Sequence, residues 1–442
     1  MDDYRSLADA VAADIAANRL RAGDRLPTQR RFARDHAVAV STAARVYAEL
    51  VRRGLVTGEV GRGTFVRAAP PPPAMALTEP AAPGRVDLEL NFPVLPEQAE
   101  LVAPALEALL RPDALGAALG PTTATGTPQA RAAAATILSR VGWIPEPDSV
   151  LFAGNGRQGL AAAIGSLVPV GGRLGVETLT YPVVRAIAVR LGIDLVPLAM
   201  DGDGLLPDAV RSAGVLDAVY FQPTLHNPLG TTMPERRRAE LAAVLAELDL
   251  PAVEDTIYAF LRDGPAPFAV HAPERTTLVD SLSKRVAPGL TLGFVVPPAA
   301  RRGDVATALR SGGWTPQAFA LETATRLVAG GVVARLEAGK RAAAAERQAL
   351  VAERLAGFTV RADPAAYHCW WELPAPWRAE TFVAAAARRS IAVTPAAAFA
   401  VGPAHAPNAV RLALAPPLPV LAAALDVLAG LARGGAGHEG TE

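Results

Sequence analysis

Ser281-Leu282-Ser283-Lys284-Arg285-Val286-Ala287-Pro288-Gly289-Leu290 is the stretch on which the reading of the chain turns. Lysine is almost missing from this sequence. Among 43 basic residues only Lys284 and Lys340 are lysine, and arginine fills the other positions. Lys284 directly follows the run Thr277-Leu278-Val279-Asp280 and its two serines. Chemistry supplies a reason for the choice. A lysine amine can lose its proton in a desolvating pocket and condense with an aldehyde, whereas a guanidinium stays protonated and cannot. Taken alone, a surface lysine in a Pro-Gly loop is the simpler reading, and the residues upstream decide against it.

At 442 residues the chain has room for more than one domain and a large core. Its apolar residues come in short runs broken by Gly and Pro, and none reaches the roughly 20 residues that span a bilayer. The most apolar late stretch, 414–431, is cut by Pro416, Pro417, Pro419 and Asp426. The start, Met1-Asp2-Asp3-Tyr4-Arg5, is acidic and lacks a signal-peptide core. A lone Cys369 excludes an intrachain disulfide and a cysteine-built metal site. These features predict a soluble cytoplasmic protein with no membrane partner and no metal. Net charge is zero, but residues 1–68 hold 12 arginines against 8 acidic residues, a surplus of four on a small segment.

Leu7, Val11 and Ile15 recur at helical spacing and predict a first helix that ends near Asn18. Thr28 is a candidate N-cap for a second helix over 29–35, and residues 40–51 form a third. In the third, Val46 and Leu50 share one face, while Ser41, Thr42 and Arg45 lie on another. Gly61-Arg62-Gly63-Thr64-Phe65-Val66 reads as a hairpin tip entering a strand. This order makes a winged helix-turn-helix, in which the N-terminal turn of a helix presents short polar side chains to the major groove and a wing arginine reaches phosphate. Periodicity alone leaves a small helical interaction domain open.

Pro70-Pro71-Pro72-Pro73 opens a Pro/Ala-rich stretch over 69–85, a semi-rigid spacer by composition. From Val86 apolar strands alternate with Ala/Leu-rich helices, the sign of an α/β domain with a mostly parallel sheet. A domain over 86–435 is expected, with a smaller lobe from about 330 and a flexible tail over 436–442. Strands are predicted near 217–221, 250–253, 277–279 and 292–296. Ligands gather at the carboxyl ends of such strands, where Asn227, Asp255 and Lys284 fall.

Three stretches carry a resemblance in the first segment: Gly23-Asp24-Arg25-Leu26-Pro27-Thr28-Gln29-Arg30, Tyr47-Ala48-Glu49-Leu50, and Gly61-x-Gly63-Thr64-Phe65-Val66. Residues 4–67 are similar to the DNA-binding domain of GntR-type regulators, which implies Arg30, Ser41, Thr42, Arg45 and Arg62 as DNA contacts. The lysine stretch resembles the S-x-S-K-x-x-x-P-G-L-R-x-G pattern of fold-type I aminotransferases, through Ser281, Ser283, Lys284, Pro288, Gly289, Leu290 and Gly293. That resemblance implies pyridoxal 5'-phosphate held by Lys284. Asp255-Thr256-Ile257-Tyr258 matches D-x-x-Y, implying Asp255 at the ring nitrogen and Tyr258 near the ring oxygen. Asn227-Pro228-Leu229-Gly230 matches N-P-x-G, with Asn227 on the ring oxygen. Tyr181 stands where the family stacks an aromatic on the ring. Arg411, with Asn91, falls at the family's substrate site, Arg411 on the α-carboxylate. Each has a plain reading: a cap for Asp255, a turn for Asn227, core for Tyr181, surface for Arg411. His368 reads as structural.

The family pattern departs at the phosphate. Ala153-Gly154-Asn155-Gly156-Arg157 fits the loop at a helix N-terminus that binds the anion, implying Gly156 and Arg157 as ligands with Ser281 and Ser283. Thr291 replaces the family arginine, and Pro121 stands in place of a tyrosine lent across the dimer. Arg157 is expected to compensate for Thr291. A GntR-type reader joined to an aminotransferase-like domain is the architecture of MocR-type transcriptional regulators. It implies a homodimer on promoter DNA that senses an amino compound through pyridoxal phosphate. A working aminotransferase with an accessory reader, and a cofactor-free regulator, remain alternatives.

Overall fold

The computed structural model describes residues 4–16, 19–20, 24–53, 55–59, 63–66, 84–402 and 406–434. Arg62, residues 69–83 of the expected linker, and the tail 436–442 lie outside the described residues.

The first unit has helices Tyr4–Ala16, Gln29–Asp35 and Val40–Arg52 and an antiparallel hairpin, Val56–Glu59 with Gly63–Val66. Thr28 Oγ1 accepts the Arg31 N–H at 3.3 Å, capping the second helix where the sequence places the cap. At 100° per residue, Ala43, Val46, Tyr47 and Leu50 fall on one face of the third helix. They are buried with Ala8, Val11, Phe32, Val56 and Val66 in a core of this unit's own. Asp9 joins the unit to the small lobe. It accepts from the nearly buried Arg53 at 2.7 Å and from Arg378 at 2.8 Å.

The second unit is built on a seven-stranded sheet. Its spatial order is Leu151–Ala153, Gly293–Val296, Thr276–Ser281, Ala252–Asp255, Ala218–Phe221, Arg173–Glu177, Asp194–Leu198. Gly293–Val296 runs antiparallel to both of its neighbours, and the other pairings are parallel, so the sheet is mostly parallel as expected. Both faces are covered, which is why the strands read as continuous apolar runs rather than alternating ones. Ala218 and Tyr220 pack with Leu160, Ile164 and Val184 on one face. Val219 and Phe221 pack with Leu241 and Leu245 on the other.

The small lobe holds a five-stranded sheet in the order Thr359–Ala362, His368–Glu372, Ala409–Ala413, Ile391–Pro395, Val86–Leu88. The last strand corrects the sequence reading, which began this lobe at about 330. Val86–Leu88 pairs in parallel with Ile391–Val393, so the lobe is assembled from both ends of the domain. Three residues are too few to show a period of two, so no local signal marks it. The helix Val332–Arg354 connects the lobes. Val333 and Leu336 sit in a core beside the large sheet, and Val351 sits in the core of the small lobe. Among the described residues, no helix is long and apolar enough to cross a membrane, and no group of side chains could hold a metal.

Candidate functional site

The parallel strands end at one place. Asp255 closes Ala252–Asp255, and Ser281 closes Thr276–Ser281 just before the one-turn helix Leu282–Arg285 that carries Lys284. Asn155 follows Leu151–Ala153 and begins the helix Gly156–Leu167, while Gln222 and Asn227 follow Ala218–Phe221. A cavity of about 650 Å³ lies there, as the topology of open α/β sheets requires. Lys284, Asp255, Tyr258, Asn227, Tyr181, Gly156, Arg157, Ser281 and Ser283 all line it. Sequence positions more than a hundred residues apart thus meet on one wall.

One end of the cavity is shaped for an anion. Asn155 caps Gly156–Leu167 by accepting from Gln158 N at 3.0 Å, which leaves the first turn directed at the cavity. A Cβ on Gly156 would stand 3.0 Å from Ser281 Cβ and Oγ, so glycine is what lets the helix start approach that serine. Ser281 and Ser283 share a hydroxyl hydrogen bond of 2.8 Å. Arg157 lies against the Tyr181 hydroxyl. Thr291 Oγ1, also on the wall, is buried without a hydrogen-bond partner.

The other polar groups converge on the middle. Asp255 accepts from the Tyr220 hydroxyl at 2.8 Å, Gln222 Nε2 at 2.9 Å and Ile257 N at 3.1 Å. Burial nevertheless pushes its carboxyl up to about 6, a cost that a cation facing it would remove. Tyr258 accepts from Asn91 Nδ2 at 3.1 Å, and burial pushes its phenol up, so it stays a neutral donor. Lys284 Nζ donates to Asn91 O at 2.5 Å and lies 3.4 Å from the centre of the Phe92 ring. Burial, helped by Arg411, Arg157 and Lys340, holds the Lys284 amine well below the ordinary lysine range, and this favours the uncharged nucleophile.

Two expected residues stand off the wall. Arg411 is buried behind it, donating to Glu89 O at 2.7 Å and Thr394 Oγ1 at 3.2 Å. Asn91 touches the site through Tyr258 and Lys284 rather than by facing the cavity. His368 is buried 5.5 Å from the Tyr258 ring with Nε2 at 3.0 Å from His226 O. Burial drives it down to about 3, so it is neutral and structural, as its isolation in the sequence suggested. Sequence reasoning missed Gln222, Tyr220 and Phe92. A polar Gln222 directly after an apolar strand was a usable signal, but nothing local marks Phe92. On the reader, Arg30, Ser41 and Arg45 are exposed and Thr42 is half-buried.

Residues 3–66 match the bacterial regulatory proteins of the gntR family, and residues 85–428 match aminotransferase class I and II. The chain belongs to the aminotransferase class I and II family. Ahead of that domain stands a GntR helix-turn-helix, the arrangement of MocR-type regulators. YdeF of Bacillus subtilis, an uncharacterized HTH-type transcriptional regulator, is 28% identical over 420 residues, covering 94% of this chain and 90% of YdeF. An archaeal alanine:glyoxylate aminotransferase shares the fold with a TM-score of 0.73 at 20% identity, over 82% of this chain and 93% of that one. Pyrococcus horikoshii kynurenine aminotransferase, solved in complex with PMP, gives a TM-score of 0.70 at 22% identity, over 79% and 91%.

Proposed function

We propose that the chain is a transcriptional regulator that binds promoter DNA as a homodimer and senses an amino compound through pyridoxal 5'-phosphate. The observation that carries this reading is the convergence of the Lys284 amine, the Asp255 carboxylate and the first turn of Gly156–Leu167 on one cavity, in a chain that also holds a GntR reader. The donor set fits a phosphorylated pyridine aldehyde. Asn227 Oδ1 and Thr291 Oγ1 are buried on the wall without partners, and Asp255 is a buried carboxylate hydrogen-bonded only by the neutral donors Tyr220, Gln222 and Ile257, its carboxyl raised by burial. When bound, the cofactor supplies an aldehyde and an electron-withdrawing ring. Lys284 binds through its uncharged amine, Asp255 holds a proton at the ring nitrogen, and Tyr258 and Asn227 orient the ring oxygen. Tyr181 covers a ring face and excludes water. Ser281, Ser283, Gly156 and Arg157 take the phosphate.

Turnover as an aminotransferase is the second reading. Arg411 stands behind the wall rather than on it, with only its Nη2 engaged, by Glu89 and Thr394, and that position favours sensing over turnover. Gel shifts on the chain's own promoter, with and without a panel of amino compounds, test the first reading; steady-state transamination on the same panel tests the second. Specific shifts that respond to an amine support sensing. Turnover without specific DNA binding would replace it.

Arg157→Ala should weaken pyridoxal phosphate binding about tenfold to a hundredfold, the loss of one charge-assisted hydrogen bond. Equilibrium titration measures this, and unchanged affinity removes Arg157 from the phosphate site. Asp255→Ala should slow exchange of external amines on the loaded protein on the order of tenfold or more, because each lost pKa unit on the ring nitrogen removes that factor of protonated ring. Its fold should lose less than its amine exchange does, although Tyr220 and Gln222 each lose a buried acceptor. Parent-like exchange would show that Asp255 does not face the ring nitrogen.

A further inference from the structure

The sequence separates the two lysines, with Lys284 in a loop and Lys340 in an Arg/Ala-rich helix. The structure joins them. Lys340, on Val332–Arg354, is fully buried. Its Nζ donates to the main-chain oxygens of Lys284 at 2.8 Å and Val286 at 2.7 Å. These carbonyls lie at the end of Leu282–Arg285, where a helix has no internal donors left for them. Tyr367 Oη donates to the Lys340 carbonyl at 2.9 Å and fixes the long helix at that turn. One turn earlier, Glu337 accepts from Arg285, which also donates to Asp280 at 2.6 Å. The loop is thus clamped to the helix at Lys284 and at the two residues that follow it.

A neutral donor could satisfy carbonyls too. Burying an ammonium is costly, and burial pushes Lys340 down to about 8 against the opposing pull of Glu337. It still carries its charge at neutral pH. A costly charge has been kept on the main chain that carries the reactive amine, outside the cavity wall.

We propose that Lys340 is a positioning residue for Lys284: it fixes the main chain that carries Lys284 and, through its charge, keeps that amine uncharged and nucleophilic. The inference rests on the reading of Lys284 as the cofactor amine. The charged groups that act on Lys284 are Arg411 from Ala409–Ala413, Arg157 from Gly156–Leu167 and Lys340 from Val332–Arg354, opposed by Asp255. Those around Lys340 are Glu337 on its own helix, Arg285 and Lys284 on the clamped loop, and Tyr367 from the small lobe. Of the cations acting on Lys284, Lys340 is the one joined directly to its main chain.

With two lysines in the chain, brief acetylation with acetic anhydride followed by peptide mass analysis reports each amine separately. The cofactor-free full chain is labelled across a pH series beside Lys340→Met, Lys340→Gln, which keeps a donor without charge, and Lys340→Arg, which keeps the charge. Removing a neighbouring like charge should raise the Lys284 labelling midpoint by roughly one pH unit in the Met and Gln variants. The Arg variant should stay near the parent. At neutral pH, attachment of pyridoxal phosphate trapped by borohydride should slow in Met and Gln by up to about fivefold, the loss of uncharged amine for a midpoint that starts near the assay pH. Parent-like midpoints in both overturn the proposal, as does a rise in Arg equal to that in Met. Failure of both uncharged variants to fold, with Arg folding normally, would reduce Lys340 to a support of the loop and also overturns it. Shifted midpoints in a chain whose parent never attaches pyridoxal phosphate would keep this inference and remove the cofactor reading.

Discussion

Borohydride treatment of the protein loaded with pyridoxal phosphate is expected to leave a phosphopyridoxyl group on Lys284, and Lys284→Ala and Lys284→Arg should carry none at that position. The loaded parent should be yellow. The expectation follows from amine inventory as much as from motif. Apart from the chain terminus, the sequence offers two amines. Lys340 is fully buried with its Nζ donating to two carbonyls, and it does not reach the cavity. Lys284 stands on the cavity wall, and burial beside Arg411 and Arg157 favours its neutral form. The arginine variant separates charge from chemistry: it retains a cation near Asp255 but cannot condense with an aldehyde. Mass mapping after reduction is the measurement. An adduct on Lys340, or no adduct under excess cofactor, would sink the assignment.

Much of this site was readable because its residues sit at strand ends, and strand ends are marked locally. Asp255, Asn227 and Lys284 each follow an apolar run, and each belongs to a short motif whose spacing is a turn's own geometry. Thr28 as a cap and Val46 with Leu50 as a buried face were readable for the same reason, since capping and periodicity act within one or two turns. What escaped depends on distant partners. Val86–Leu88 becomes a strand only because Ile391–Val393 lies beside it. The reversed direction of Gly293–Val296 is a property of sheet order rather than of its four residues. Lys340 read only as one position of an Arg/Ala-rich helix because its partners, Lys284 O and Val286 O, are main-chain atoms more than fifty positions away. Arg411 matched its position in the family pattern, yet it lies behind the wall with its Nη2 held by Glu89 O and Thr394 Oγ1 and its Nε buried without a partner. A motif places a residue on a strand and leaves open where the guanidinium turns.

On the chain's own promoter, the full-length protein should bind far more tightly than residues 1–68 alone. The isolated segment is a fair comparison because its three helices and hairpin close a core of their own around Val46, Leu50 and Phe32. One copy nevertheless offers a short reading helix, Val40–Arg52, and a charge surplus of four over 1–68, hence few base and few phosphate contacts. In the proposed homodimer, pairing two copies makes the second contact intramolecular and should raise avidity by roughly 10²–10⁴ where the Pro-rich segment lets both readers reach their half-sites. Proline-rich spacers are semi-rigid, and the Asp9–Arg378 contact further restricts where a reader can stand. Inserting half a helical turn between half-sites should therefore remove most of that gain. Within the reader, the exposed Arg45 on the polar face of the third helix should set discrimination, so Arg45→Ala should narrow the gap between the promoter and unrelated DNA. Arg62→Ala should instead weaken all sequences alike and flatten the salt dependence, the mark of a phosphate contact. Gel shifts of both proteins on one promoter at two salt concentrations measure each of these. Equal affinity of the segment and the full chain would refute the paired-reader argument, and loss of specificity in Arg62→Ala would move that arginine from the phosphates to the bases.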